Sequence, residues 1–229
     1  MYARTTVDTS TAWRKWVERP EQLRLRQIVF QLHLWIGVIA GGWMLVMSAT
    51  GSALVFRDQL AFMPGLDALL FLHTSLLIGP AGRAVNAIGA LALIALCATG
   101  AVIWWPGHAH WRRSLKIEWR ANFPRVSWDS HSALGFWLFL FVVMWGVSGL
   151  YLSRPQLFDS LYRFDPEDRI TDHVLFALTT LHFGRLNLAT QMIWGLVGLV
   201  PAVLAFTGVF ICCRRVMFHK SSNPKHASH

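Results

Sequence analysis

The chain has 229 residues, of which 54% are hydrophobic and only 14% are charged. Soluble domains carry about 25% charged residues, so this composition excludes an ordinary soluble protein and indicates a membrane protein. The formal net charge of +9 does not indicate a nucleic-acid partner, because the basic residues flank apolar segments, where they would meet anionic lipid headgroups. The first partner that the sequence predicts is therefore the lipid bilayer.

Four apolar segments carry no charged residue. They cover residues 34–56, 84–105, 132–152 and 192–213. Each is long enough to cross a hydrocarbon core of about 30 Å as a helix, and a backbone in lipid must satisfy its own hydrogen bonds. The sequence therefore predicts an all-α integral membrane protein with four transmembrane helices.

Lysine and arginine residues fall mainly on one side of these spans. Fifteen of the 21 lie before residue 28, between the second and third spans, or after the fourth span. By the positive-inside rule, these regions and both termini are expected in the cytoplasm. We predict a basic interfacial arm over residues 1–27, a four-helix domain over 28–215 and a cytoplasmic tail over 216–229.

A pattern of histidine, apolar span and Ser/Thr-Gly pair occurs four times. The four copies begin at His33, His73, His131 and His182 and end at Thr50-Gly51, Thr99-Gly100, Ser148-Gly149 and Thr207-Gly208. Internal symmetry of this kind is typical of duplicated membrane helices. We therefore predict two duplicated helix pairs, over residues 28–106 and 129–215, that form one bundle.

The positions of the four histidines predict two layers. His33 and His131 begin spans whose first ends face the cytoplasm, whereas His73 and His182 precede spans that start outside. A helix from His33 to Thr50 advances about 26 Å, so the layers are separated by most of a bilayer. Each layer holds one histidine from each half of the repeat, so the two members of a pair can face each other.

Two facing imidazoles in an apolar bundle suit a six-coordinate haem iron. We predict that His33 and His131 ligate one haem iron and that His73 and His182 ligate another. A proton relay or plain interfacial histidines are the alternatives. No C-x-x-C-H motif occurs, so such a haem would be held without covalent attachment.

Several further residues have candidate roles. Haem propionates favour basic partners, and Arg185, three residues after His182, is the best placed of these. His108 and His110 lack Cys or carboxylate neighbours at ligand spacing, so we interpret them as surface residues. The Ser/Thr-Gly pairs allow close helix packing and could also make room for a macrocycle; we favour packing alone. No residue is assigned a catalytic role.

The chain resembles the PepSY-associated transmembrane family of bacterial inner-membrane proteins. The resemblance covers about residues 27–215 and rests on HLWIGVIAGG with ATGSALVFRDQL, LHTSLLIG with ATGAVIWW, HSALGFWL with SGLYLS, and LHFGRLNL with GLVGLVPAVLAFTGVF. It implies a four-helix core with two b-type haems, and reduction of ferric iron bound to siderophores in the periplasm. His33 and His131 would hold the inner haem and His73 and His182 the outer one. A cytoplasmic reductase or quinol would supply the electrons.

One departure from the family concerns the region between the first two spans. Members typically insert a PepSY-bearing ectodomain there, whereas this chain has only residues 57–70 in that place. The resemblance therefore implies a short form that keeps the electron-transfer core. It leaves little surface for docking a bulky ferric chelate.

Two other functions stay open. A haem-free membrane scaffold or accessory subunit would use the same helix packing, with interfacial histidines. A cytochrome b subunit of a larger oxidoreductase would share the haems and differ in its partner. The sequence has no Rossmann fingerprint or phosphate loop, so the electron donor is expected to be a separate molecule.

Overall fold

The computed structural model describes residues 17–18, 23–107, 111–158 and 169–221, with side chains in the last range described for residues 173–215. Within these residues the chain is helical and forms no strand. In chain order the helices are α1 (Arg24–Leu54), α2 (Leu66–Ser75), α3 (Pro80–Trp104), α4 (Trp111–Ser114), α5 (Phe123–Trp137), α6 (Phe139–Ser153), α7 (Arg169–Phe183), α8 (Leu188–Val197) and α9 (Val200–Ser221). The all-α prediction is confirmed for this part of the chain.

Three segments of the described chain are long and apolar enough to cross a membrane on their own. They are α1, α3 and the segment Leu188–Arg215, which contains α8 and most of α9. The pair α5 and α6 makes a fourth span if the two helices count as one. The predicted membrane character is thus confirmed, with three spans or four. The duplication of the helix pairs stays a prediction.

The third predicted span is not the continuous helix that the sequence suggested. It breaks at Leu138, and α5 and α6 meet at a bend of 69°. The two helices pack against different neighbours, α5 against α9 and α6 against α3. The bend therefore allows one apolar segment to contact two sides of the bundle.

The last predicted span is interrupted just before Pro201. Proline has no N–H for the helix ladder, and helix α8 ends at Val197 while α9 begins at Val200. Ser48 of α1 fills the gap: its hydroxyl donates to the carbonyl oxygen of Gly198 at 2.5 Å and accepts from the N–H of Ala202 at 3.1 Å. A side chain inserted into the ladder in this way supplies hydrogen bonds across the break between the two helices.

Helical structure reaches beyond the four predicted spans at three places. Helix α1 begins at Arg24, so the end of the predicted arm is helical, and most of the arm lies outside the described residues. Helix α7 lies between the third and fourth predicted spans and packs against α6. Helix α9 continues to Ser221, into the predicted tail.

Most of the buried side chains of the bundle are small or polar, and many large apolar side chains face outward. Helix α1 packs against α3 and α9, and a central apolar cluster joins these helices to α6 through Met44, Leu93, Leu96, Val142 and Ala205. Outward-facing side chains such as Ile39 and Leu140 are 81% and 76% exposed. Such an apolar exterior suits a lipid environment. In sequence, each repeat unit contributes to the cluster between its histidine and its Ser/Thr-Gly pair.

Candidate functional site: two histidine pairs

The inner pair consists of His33 on α1 and His131 on α5. Their imidazole centroids are 6.2 Å apart and the rings are nearly perpendicular, at 87°. Two imidazoles bound to one metal ion at about 2 Å each, with ring centroids about 1 Å further back, have centroids about 6 Å apart. The observed separation therefore fits two imidazoles that share one metal ion.

The outer pair consists of His73 near the end of α2 and His182 near the end of α7. These two imidazoles are close enough for a charge on one to act on the other. Both are half-buried. Helices α2 and α7 are not membrane spans in themselves, so the outer pair is presented by short helices that precede α3 and α8.

Every imidazole of the two pairs contacts a hydroxyl at the far end of a neighbouring span. The Nδ1-to-oxygen distances are 2.9 Å for His33 and Thr99, 2.8 Å for His73 and Thr50, 3.1 Å for His131 and Thr207, and 2.7 Å for His182 and Ser148. These hydroxyls belong to the four Ser/Thr-Gly pairs of the sequence repeat. Each contact thus joins the histidine of one repeat unit to the end of another unit in the same half of the chain.

The glycine of each Ser/Thr-Gly pair leaves room for the same imidazole. A Cβ added at Gly51 would lie 3.0 Å from Cε1 of His73, and at Gly208 it would lie 3.1 Å from Cε1 of His131. At Gly100 the corresponding distance to His33 is 3.3 Å. At Gly149 it is 3.9 Å from His182, an ordinary contact. Packing alone, which we favoured for these pairs, is therefore an incomplete account: they pack against the imidazoles.

The Nε2 atom of each imidazole has no hydrogen bond to any residue in the described ranges. A neutral imidazole binds a metal through its unprotonated nitrogen. Among those same residues no group of three or more His, Cys, Asp and Glu side chains is placed to hold a metal ion. The donor set is therefore two imidazoles per layer, which fits the two axial positions of a haem iron.

Side chains that the sequence analysis missed hold the outer histidines in place. Asn86 of α3 is buried; its amide donates to the backbone carbonyl of His73 at 2.8 Å and accepts from the indole N–H of Trp43 at 2.9 Å. In the other half, the indole N–H of Trp194 donates to the carbonyl of Leu181 at 2.5 Å. An asparagine inside a charge-free span was the available signal for the first contact, because buried amides need partners.

Arg185 does not approach the histidines through any described hydrogen bond. It forms an ion pair with Asp58, in the loop after α1, and the two side chains are 31% and 64% exposed. The pair links the outer loops of the two halves of the chain, beside a hydrogen bond of 2.6 Å between Gln59 and Gln191. A role for Arg185 toward a propionate stays a prediction. His108 and His110 lie outside the described residues.

Two pockets are lined by residues close in sequence to the histidines of the second half. One, of about 280 Å³, is lined by residues of α4 and α5 and includes Trp128, Asp129 and Ser132, which flank His131 in sequence. The other, of about 300 Å³, is lined by Thr180, Phe183 and Arg185. The Phe183 ring contacts the His182 ring edge to face, with centroids 5.6 Å apart.

The comparisons with known proteins support the family resemblance. The family described as the PepSY-associated TM region matches residues 62–167, which is under half of the chain and includes His73 and His131. The chain is also 30% identical over 90 residues to a Pseudomonas aeruginosa protein, Uncharacterized protein PA4219. That match spans 38% of this chain and about a fifth of the relative, at 21%. No solved structure gives a significant match.

Proposed function

We propose that the chain transfers electrons across a membrane between two haem groups, one held by His33 and His131 and the other by His73 and His182. The observation that carries the proposal is the pairing of His33 with His131 at 6.2 Å, with Nδ1 of each ring engaged by a hydroxyl. With Nδ1 engaged, Nε2 of each ring is left to bind a metal ion. When bound, each haem iron supplies a centre that accepts and releases one electron.

The duplication predicted from the sequence belongs to this proposal. In each half, the histidine of the first repeat unit contacts the hydroxyl of the second unit. The histidine of the second unit contacts the hydroxyl of the first in return. A duplicated helix pair accounts for all four contacts at once. It also accounts for the two layers, since each half supplies one histidine to each layer.

The orientation of the path in the membrane is inferred from the charge distribution. The pair His33 and His131 lies at the end of the bundle nearest the basic segments, so it is the inner, cytoplasmic pair by the positive-inside rule. The donor, a quinol or a cytoplasmic reductase, would reach it beside the pocket at Trp128 and Asp129. The acceptor, ferric iron or a ferric siderophore in the periplasm, would approach the pocket at Phe183 and Arg185.

Spectra of the purified full-length chain test this proposal. The protein would be expressed with ample haem supply, purified in mild detergent, and its extracted haem counted against protein. Two non-covalent b-type haems per chain, with six-coordinate spectra in the oxidised and dithionite-reduced states, are expected. A colourless protein would overturn electron transfer and leave the haem-free scaffold; stable co-purification with a catalytic subunit would favour the cytochrome-subunit function.

Reduction of a ferric chelate is tested separately. The haem-loaded chain, reduced in the absence of oxygen, is mixed with a ferric siderophore, and reoxidation of the haems is followed together with capture of ferrous iron by a colorimetric chelator. Reoxidation with equivalent release of ferrous iron supports a ferric reductase. Haems that stay reduced would overturn this acceptor while leaving the transmembrane electron path intact.

A further inference from the structure

The hydroxyls that contact the four imidazoles donate their own protons to other acceptors. Each donates to the backbone carbonyl four residues earlier in its helix: Thr50 to Val46 at 2.6 Å, Thr99 to Ala95 at 2.7 Å, Ser148 to Met144 at 2.6 Å, and Thr207 to Val203 at 2.6 Å. A hydroxyl has one proton and can otherwise only accept. The imidazole Nδ1 atom must therefore be the donor in each contact.

A second carbonyl beside each hydroxyl supports the same assignment in the inner pair. The Thr99 hydroxyl also lies 3.2 Å from the carbonyl oxygen of Leu96, and the Thr207 hydroxyl lies 3.3 Å from the carbonyl oxygen of Leu204. Carbonyl oxygens only accept hydrogen bonds, so each hydroxyl proton is directed to acceptors of its own helix and not to Nδ1.

We propose that Thr50, Thr99, Ser148 and Thr207 are positioning residues that keep the proton of each histidine on Nδ1, so that Nε2 is the unprotonated nitrogen, and thereby set the reduction potential of the metal bound there. The potential part of this inference rests on the proposed haem binding. The tautomer part stands on the geometry alone. It goes beyond close packing, because a packing role requires only a small side chain.

The effect on potential has a definite sign. A ligand histidine that donates its other N–H becomes a more basic ligand, and a more basic ligand stabilises the oxidised, more positive metal ion. The hydroxyl contacts therefore lower the reduction potential. The Ser148 hydroxyl has this role in a fully enclosed position, since that residue is 0% exposed.

Isosteric substitution separates hydrogen bonding from packing. Thr207→Val keeps the shape of the side chain and removes the acceptor, whereas Thr207→Ser keeps the acceptor and removes a methyl group. We expect full haem occupancy in both variants of the full-length chain, an inner-haem midpoint potential shifted to a more positive value in Thr207→Val, and an outer-haem potential unchanged. Thr207→Ser should stay at the wild-type potential. Thr99→Val serves as the second test of the inner pair if Thr207→Val does not fold.

Two results would overturn the inference: a wild-type potential in a fully loaded Thr207→Val protein, or an equal shift in Thr207→Ser. If the wild-type chain binds no haem, the proposed function fails and the tautomer is measured instead. Two-bond proton–nitrogen NMR of ¹⁵N-histidine-labelled protein then should show the Nδ1–H tautomer in the wild type and its loss at one histidine in Thr207→Val. An Nε2–H tautomer in the wild type would overturn the inference on its own.

Discussion

The inner and outer histidine pairs have the same contacts but different supports. His33 lies on α1, a span of 31 residues, and His131 lies on α5, which continues into α6. His73 lies on α2, of 10 residues, and His182 lies on α7, of 15 residues. Both helices precede the spans and are held to them by Asn86 and Trp194. Long helices fix a side chain through many backbone hydrogen bonds, whereas a short helix depends on tertiary contacts. The outer pair should therefore be the more easily disturbed of the two.

The largest expected effect is the loss of one haem. His73→Ala removes a proposed ligand of the outer haem only, so the haem content of the purified chain should fall from about two to about one, with the spectrum of the inner haem unchanged. His131→Ala should give the converse. His173→Ala, an exposed histidine on the same helix as His182, is the matched control and should keep both haems. Loss of both haems, or of neither, from His73→Ala would contradict the two-pair arrangement.

The next effect concerns the support of the outer pair. Asn86→Leu removes the amide that joins Trp43 to the carbonyl of His73, and a buried polar group without its partner costs roughly 1–3 kcal/mol. We expect the outer haem to be released at a lower temperature or detergent concentration than in the wild type. The release is measured as the loss of the absorbance of the bound haem. The inner haem should be released as before. Equal loss of both haems would show that Asn86 stabilises the whole bundle rather than α2.

Two glycines of the outer layer offer a matched pair of smaller changes. Gly51→Ala places a methyl group 3.0 Å from His73, whereas Gly149→Ala places one 3.9 Å from His182. The first distance requires the imidazole to move and the second does not. Electron paramagnetic resonance of the outer haem should therefore change in Gly51→Ala and match the wild type in Gly149→Ala. The reverse order would indicate that the imidazoles sit differently against the two glycines.

The smallest effect is expected for the ion pair between the outer loops. Arg185 and Asp58 are partly exposed, and such pairs contribute less than about 1 kcal/mol to stability. Arg185→Gln and Asp58→Asn should both leave the thermal unfolding temperature nearly unchanged. The two variants also test whether Arg185 contacts a haem propionate. If it does, only Arg185→Gln should shift the reduction potential of the outer haem. Equal reduction potentials of the outer haem in the two variants would show that Arg185 has no role toward a propionate.

The candidate histidines were accessible from the sequence, but their surroundings were not. The repeat identified His33, His73, His131 and His182 because each begins a unit with a regular spacing. The same repeat contained the hydroxyl residues, yet their spacing along the chain says nothing about which imidazole they meet. His33 contacts Thr99, 66 residues away, because two antiparallel helices bring the start of one beside the end of the other.

The side chains that hold the outer pair in place, Asn86 and Trp194, were missed for a related reason. Asn86 stands alone in an apolar segment, and one polar residue in a span has many possible partners. Only the packing of α2 against α3 determines that its amide meets the carbonyl of His73. The bend at Leu138 was missed as well, since neither proline nor a run of glycines marks that position in the sequence.

The sequence by itself determined the membrane character, the apolar segments and the four repeated histidines, because hydropathy and periodicity are local properties of the chain. The tertiary structure alone decided how close the His33 ring lies to the His131 ring, that each Nδ1 meets a hydroxyl, and that α5 and α6 form a bent pair. These features depend on which helices cross and at what depth. Such contacts join residues far apart in the chain, and no local pattern encodes them.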